Sequence, residues 1–338
     1  MRIIVSRTDS IGDVVLTLPL AFVLKQTFPG CTIIFLGREY TRPVIELCRY
    51  VDEFVNWEPP HKPSPRGGRA ETGVLANLNA DVIIHVFPVK EICRAARQAR
   101  IPLRIATSRR FFTWFTCNRL LHVPRKHSNL HESLLNLKLL KGLGIDRGFR
   151  LEEIAGMYGL DTPSPSLLAG EGCREGVFNL ILHPKSKGSA REWGLENFSL
   201  LIGLLPEDKF NIIVTGTKEE GEMMAGFLKQ HGNRITDMTG KLSLAELISL
   251  IGSSDALVAA STGPLHLAAA LGIRAIGLYA PMRPIFPQRW APIGKNATSL
   301  VLDKTCDDCR KNMDCHCIRS ITPETVAERL GKGYGLRM

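Results

Sequence analysis

Short apolar runs recur along the chain, separated by stretches in which hydrophobic positions repeat every three to four residues. Arg2–Ser6 (RIIVS), Thr32–Leu36 (TIIFL), Asp81–Val86 (DVIIHV) and Leu103–Ala106 are too short for helices and predict strands buried on both faces. Asp13 to Thr27, Lys90–Ala99 and His131–Leu143 carry helical periodicity, the last closed by Gly144. Asp161–Gly170 (DTPSPSLLAG) reads as a linker. The alternation then restarts, with strands at Phe178–His183, Asn211–Thr215, Ala256–Ala260 and Ala275–Tyr279. Helices are expected from near Leu195 and over Lys218–Gln230, Ser243–Ile251 and Pro264–Leu271. Strands alternating with helices form parallel sheets covered on both faces, so the pattern predicts two α/β units in tandem. Ligands are expected beyond the carboxyl ends of their strands.

Composition narrows the class. The 338 residues are 44% hydrophobic and 22% charged, which excludes a disordered chain, a collagen-like repeat and a coiled coil. The apolar run Val14 to Leu24 contains Thr17 and Pro19 and falls short of the ~20 residues of a membrane span. Asp9 and Asp13 precede it, against a signal peptide, and a cytoplasmic protein is expected. Among nine cysteines, Cys31, Cys48, Cys93, Cys117 and Cys173 are scattered and read as small buried hydrophobes. Cys306, Cys309, Cys315 and Cys317 cluster around His316. Spacing of this kind can hold zinc or iron, but the terminal Cys-x-Cys is unusual for a closed zinc site, and reduced structural thiols are the default.

The formal net charge of +10 is unevenly placed: residues 1–150 carry 23 Lys and Arg against 12 Asp and Glu, and the remainder 20 against 21. The front half therefore suits an anionic partner, whether nucleic acid, a membrane surface or an acidic substrate, or serves solubility alone.

Three loops carry candidate chemistry. Arg7-Thr8-Asp9-Ser10-Ile11-Gly12-Asp13 joins the first strand to a helix. Asp13 reads either as a charge complementing the helix dipole or as a general base at the strand's carboxyl edge. His183-Pro184-Lys185-Ser186-Lys187-Gly188-Ser189-Ala190-Arg191-Glu192-Trp193 offers hydroxyls, backbone N–H groups and cations that suit phosphate, or is a solvated basic turn. Neither a Walker loop nor GxGxxG is present. Ser261-Thr262-Gly263-Pro264-Leu265-His266 leads a strand into an alanine-rich helix, with Thr262 placed to cap it, Pro264 in its first turn, and His266 within reach of an anion at its start.

At this point the chain resembles the lipopolysaccharide heptosyltransferases of glycosyltransferase family 9. The resemblance rests on RTDSIGDVVLTLPLA at 7–21, AREW at 190–193, GTKEE at 216–220, DMTGKLSLAELISLIGSSDALVAASTGPLHLAAALG at 237–272 and RWAPIG at 289–294. It implies an α/β GT-B fold, two Rossmann-like domains facing across a cleft. The first, 1–160, would bind acceptor and the second, 171–320, nucleotide sugar; a last segment, 321–338, would form a helix packing back on the first. It also implies an inverting transfer of heptose from ADP-heptose to the inner core of lipopolysaccharide, Kdo-lipid A or its heptosylated form. Asp13 matches the catalytic base and Arg191 the cation that steadies the departing diphosphate. Ser10, Gly12, Ser186, Lys187, Glu220 (on the ribose), Ser261, Thr262, Gly263 and His266 match donor contacts. Many relatives carry Asp where this chain has Ser261, which bears on which sugar is held.

The resemblance gives the basic front half a use, because the family's acceptor is polyanionic. Lys90, Arg94 and Arg97 share a helix face, Arg119 follows, and Lys62, Arg66 and Arg69 lie in a Pro/Gly-rich loop; Arg94, Arg97, Arg119 and the loop residues are the acceptor candidates. Phe111, Phe112, Trp114 and Phe115 interrupt the basic stretch and read mostly as core, with membrane contact the other reading. No cofactor is required beyond the ADP-sugar donor, and no DxD-like motif obliges a divalent cation. The implied location is the cytoplasm, peripheral at the inner face of the membrane. Competing readings are another nucleotide sugar, a protein acceptor such as an autotransporter adhesin, and, from other classes, a nucleic-acid binder or a nicotinamide oxidoreductase. The last two lack their motifs.

Overall fold

The computed structural model describes residues 1–58, 69–125, 128–161, 172–303, 306, 308–311, 314 and 316–331, with backbone alone for 69–72 and 310–311. Lys62, Arg66, Cys315 and the side chain of Arg69 lie outside the described residues. The chain divides into two compact units, Met1–Asp161 and Thr162–Met338.

Every short apolar run read as a strand becomes a central strand. In the first unit these are β1 (Arg2–Ser6), β2 (Thr32–Gly37), β4 (Val82–His85) and β5 (Leu103–Thr107), with β3 (Glu53–Asn56) and β6 (Arg119–Leu121) at the edges. The sheet is parallel throughout, in the order β3-β2-β1-β4-β5-β6. The second unit repeats the plan with β7 (Phe178–His183), β8 (Phe210–Val214), β9 (Ile235–Asp237), β10 (Ala256–Ala260), β11 (Arg274–Tyr279) and β12 (Ala297–Val301), ordered β12-β11-β10-β7-β8-β9. Each sheet is doubly wound. Strand order reverses between β1 and β4 in one and between β7 and β10 in the other, and ligands of such sheets sit at the carboxyl ends of those strands.

The four strands absent from the sequence reading, β3, β6, β9 and β12, are the four sheet edges. Their residues are only partly buried, so they lack the unbroken apolar run that marks a strand covered on both faces. The helix expected over Asp13 to Thr27 is two helices, Ile11–Val15 and Leu18–Thr27. Pro19 has no N–H to return to the carbonyl four residues back, so the ladder restarts there. The glycine of RWAPIG also has a physical role: a Cβ on Gly294 would collide with the Ala269 carbonyl, so Gly permits close packing against the helix Gly263–Leu271.

The last helix, Pro323–Gly331, packs within the second unit: Val326, Ala327 and Leu330 are buried in its core, against the helix Leu195–Leu204. Trp193 Nε1 donates to the Ile321 carbonyl at 2.8 Å, and Arg274 donates to the Leu330 carbonyl, fixing the helix at both ends.

Candidate active site

In the first unit the site grows from a buried arginine. Arg7, 2% exposed, follows β1 at the point where strand order reverses. Its Nε donates to Asp9 Oδ1 at 2.5 Å and its Nη2 to Asp13 Oδ1. Behind it, Glu132 lies 3.6 Å from Nη1 and also pairs with Arg125. Arg125 Nη2 donates to Asn136 Oδ1 at 2.9 Å and to the Val86 carbonyl at 3.1 Å. Two cations and three carboxylates are thereby satisfied in one buried network.

Asp9 and Asp13 are the members that reach outward, their side chains keeping 30% and 17% exposure. Asp13 accepts from the Ser10 hydroxyl on its other oxygen at 2.6 Å. It makes no capping bond: Ser10, at the N-cap of Ile11–Val15, has no side-chain cap, and Asp13 is held from the side by Arg7. The result is a carboxylate fixed in orientation within the first turn of the helix, where it can both complement the helix dipole and accept a proton. Ser10 spends its hydroxyl on Asp13, and Gly12 is buried within the short helix. Burial pushes the Asp9 carboxyl up and Asp13 adds to this, while Arg7 pulls it down. Phe87, missed in the sequence, lies just past β4, with the Arg7 and Arg110 guanidinium groups 5.6 and 5.2 Å from its ring centre.

In the second unit, the loop after β7 is organised by Glu192. Its carboxylate takes the Lys185 ammonium at 2.5 Å and the Ser186 N–H at 3.1 Å, and the Ser186 hydroxyl lies 3.0 Å from the Ala190 carbonyl, to which it donates. Ser186 is thus turned inward, its N–H taken by Glu192 and its hydroxyl by the Ala190 carbonyl. Lys187, in the left-handed region at φ 48°, is the cation left exposed. Arg191 is buried, its Nε donating to the Cys309 carbonyl at 3.0 Å. Arg191 lines a small pocket at the ends of β10 and β11 together with Ser261, Tyr279 and Met282.

Thr262 sits at the N-cap of Gly263–Leu271 and makes no side-chain cap. Its hydroxyl is buried and has no hydrogen-bond partner. A nine-residue helix with an uncapped start beside an orphaned buried hydroxyl is built for an anion. His266 is buried in the first turns of this helix. Glu220 caps Lys218–Met223 instead: its Oε2 accepts the Thr217 N–H at 2.8 Å while Thr217 Oγ1 accepts the Glu220 N–H at 3.3 Å. His183, at the end of β7, pairs with Thr215 Oγ1 at 3.0 Å; burial lowers its pKa, with Glu220 and Glu192 opposing. The Cys306, Cys309 and Cys317 thiols gather within 4.8 Å of one another, the proximity a metal-ligating set requires.

Arg94, Arg97 and Arg119 are all exposed. The aromatic expectation is overturned: Phe111, Trp114 and Phe115 are 79%, 62% and 60% exposed, too open to be core. Arg97 donates to the Phe115 carbonyl at 2.6 Å, and Trp114 Nε1 to the Ser108 carbonyl at 2.9 Å, so the turn is held while its rings stay outside.

Residues 120–317 match the model of glycosyltransferase family 9 (heptosyltransferase). The chain belongs to glycosyltransferase family 9. It is 25% identical to a putative glycosyltransferase of Haemophilus influenzae over 306 residues, 86% of each chain. It is 22% identical to lipooligosaccharide heptosyltransferase 2 of Campylobacter jejuni over 98% of this chain and 99% of that one. The fold matches the structure of Escherichia coli ADP-heptose lipopolysaccharide heptosyltransferase II with a TM-score of 0.76, covering 98% of both chains at 18% identity. The family 9 enzyme is thus a glycosyltransferase of GT-B fold with two parallel six-stranded sheets. Among the described residues no helix is long and apolar enough to cross a membrane.

Proposed function

We propose that this family 9 enzyme transfers heptose from ADP-heptose to an anionic inner-core lipopolysaccharide acceptor, with inversion at the anomeric carbon. The observation that carries the reading is the pairing of chemistries at the two sheet reversals. One is an oriented carboxylate, Asp13, on Arg7 and Ser10; the other is an uncapped helix start with the orphaned Thr262 hydroxyl.

In this reading the second unit binds donor. The first-turn N–H groups of Gly263–Leu271, Thr262 and Lys187 take the diphosphate, and Ser261, Gly263 and His266 lie toward the sugar. Glu220 would meet the ribose through Oε1, since Oε2 belongs to the cap. Arg191 stabilises the charge that develops on the leaving diphosphate. Asp13 accepts the proton of the acceptor hydroxyl as its oxygen attacks, the new C–O bond forming while the bond to the diphosphate breaks. Arg94, Arg97 and Arg119 attract acceptor carboxylates and phosphates. The exposed Phe111, Trp114 and Phe115, set among arginines, support a peripheral position on an anionic membrane surface in the cytoplasm.

A mass-spectrometric screen of nucleotide sugars with a Kdo-lipid acceptor tests this directly. ADP-heptose is expected to give product. Asp13→Ala is expected to lower turnover by about 10²–10⁴ with ADP affinity nearly unchanged. Thr262→Val should leave stability unchanged or slightly raised, since it removes an unsatisfied hydroxyl, yet weaken donor binding by roughly tenfold. Full activity in Asp13→Ala would end the assignment of the base.

A further inference from the structure

The first unit holds a second group of donors that the transfer chemistry does not use. His85 ends β4, Cys93 lies on the helix Lys90–Gln98, and Cys117 directly follows the short helix Thr113–Thr116. Three separate elements bring one imidazole and two thiols together, with their donor atoms all within 4.8 Å of one another. His85 is 0% exposed, and neither ring nitrogen makes a hydrogen bond. Buried polar groups are rarely left unsatisfied, so a buried imidazole with only two thiols beside it calls for a ligand. The surroundings are apolar: Ala106 is buried with the two cysteines, and Phe112 and Leu120 pack against them. A neighbouring hydroxyl, Thr116 Oγ1, donates to the Phe112 carbonyl at 2.8 Å and lies 3.8 Å from Cys117 Sγ.

We propose that His85, Cys93 and Cys117 bind a zinc ion that pins the helix Lys90–Gln98 and the Phe111–Phe115 turn to the end of β4. Donors around tetrahedral zinc stand about 3.5–3.8 Å apart, so the observed set needs only small shifts to close on one ion. Charge favours the divalent ion. Two thiols each release a proton on binding, and two thiolates with a neutral imidazole balance Zn²⁺, leaving a dry core without net charge. A disulfide between Cys93 and Cys117 would use the sulfurs and still leave both His85 nitrogens without partners; a metal engages all three residues. The fourth position falls to a water or to the Thr116 hydroxyl. The site is structural, and its consequence is local: it holds the two elements that carry Arg94, Arg97 and the exposed aromatic rings.

The test is metal content of the full chain, purified without chelator, together with X-ray absorption at the zinc edge. A Cys309→Ser/Cys317→Ser background removes the other thiol cluster from the count. In that background about one zinc per chain is expected, with two sulfur ligands and at least one nitrogen ligand. Adding Cys93→Ser/Cys117→Ser should remove it. His85→Cys keeps three soft donors and should retain the ion with three sulfurs, which separates loss of a ligand from loss of fold. The proposal is overturned if the background chain carries no zinc, if Cys93→Ser/Cys117→Ser carries as much as its parent, or if thiol labelling of the denatured chain reveals a Cys93–Cys117 disulfide.

Discussion

Asp13 and Glu220 show how little a residue's local position says about its work. Both are carboxylates in the first turn of a short helix. Glu220 closes a reciprocal cap with Thr217, whereas Asp13 is drawn aside by Arg7, whose burial depends on Glu132 and Asn136 more than a hundred residues away. His183 offers a measurable consequence of burial. Its pKa lies below the ordinary value of 6.5, so the folded chain binds fewer protons there than the unfolded one. Its contribution is whole above that value and is lost as pH falls beneath it. His231 shifts the same way and Asp9 the opposite way, so a comparison isolates the histidine. Urea unfolding at about pH 7.5 and 5.5 should show a smaller loss of stability in His183→Gln than in the wild type. Equal losses would show that His183 is not a source of the acid sensitivity.

At the scale of elements, the segment from Lys90 to Arg125 is informative because its apolar and basic residues separate in space. In Lys90–Gln98, Ile92, Cys93, Ala95 and Ala96 are buried while Arg94 and Arg97 face out. In Thr113–Thr116 the arrangement inverts expectation: the threonines are buried and the rings exposed. Thr113 Oγ1 donates to the Arg110 carbonyl at 2.6 Å and Thr116 Oγ1 to the Phe112 carbonyl at 2.8 Å, so the hydroxyls are satisfied inside. With the rings in solvent, Trp114→Ser/Phe115→Ser should leave the melting temperature nearly unchanged. The same variant should lose co-sedimentation with anionic vesicles by roughly tenfold or more, reflecting lost apolar insertion. Undiminished vesicle binding would assign membrane contact to another surface.

For the whole molecule, the second unit depends on its last helix. Val326 and Leu330 are fully buried and Ala327 nearly so, within the core that also holds Trp193, Phe198 and Leu201. Ending the chain before Pro323 should cost roughly 4 kcal/mol or more from the two large side chains alone, before the backbone contacts of the lost helix, against a typical total stability of about 5–15 kcal/mol. Calorimetry of the truncated protein should therefore lose the transition that ADP stabilises in the full chain, and a retained ADP-responsive transition would contradict this account of the core.

Periodicity by itself determined the central strands, the tandem α/β plan and the loops where chemistry could sit. Burial on both faces demands unbroken apolar runs such as RIIVS and FNLILH, and those are visible without a structure. Edge strands carry no such demand, so all four escaped. The inward turn of Ser186, the clamp of Arg7 on Asp13, the exposure of Trp114 and the meeting of His85 with Cys93 and Cys117 were decided only in three dimensions. Each depends on which distant backbone arrives beside a side chain, and the pattern along a chain carries no record of that.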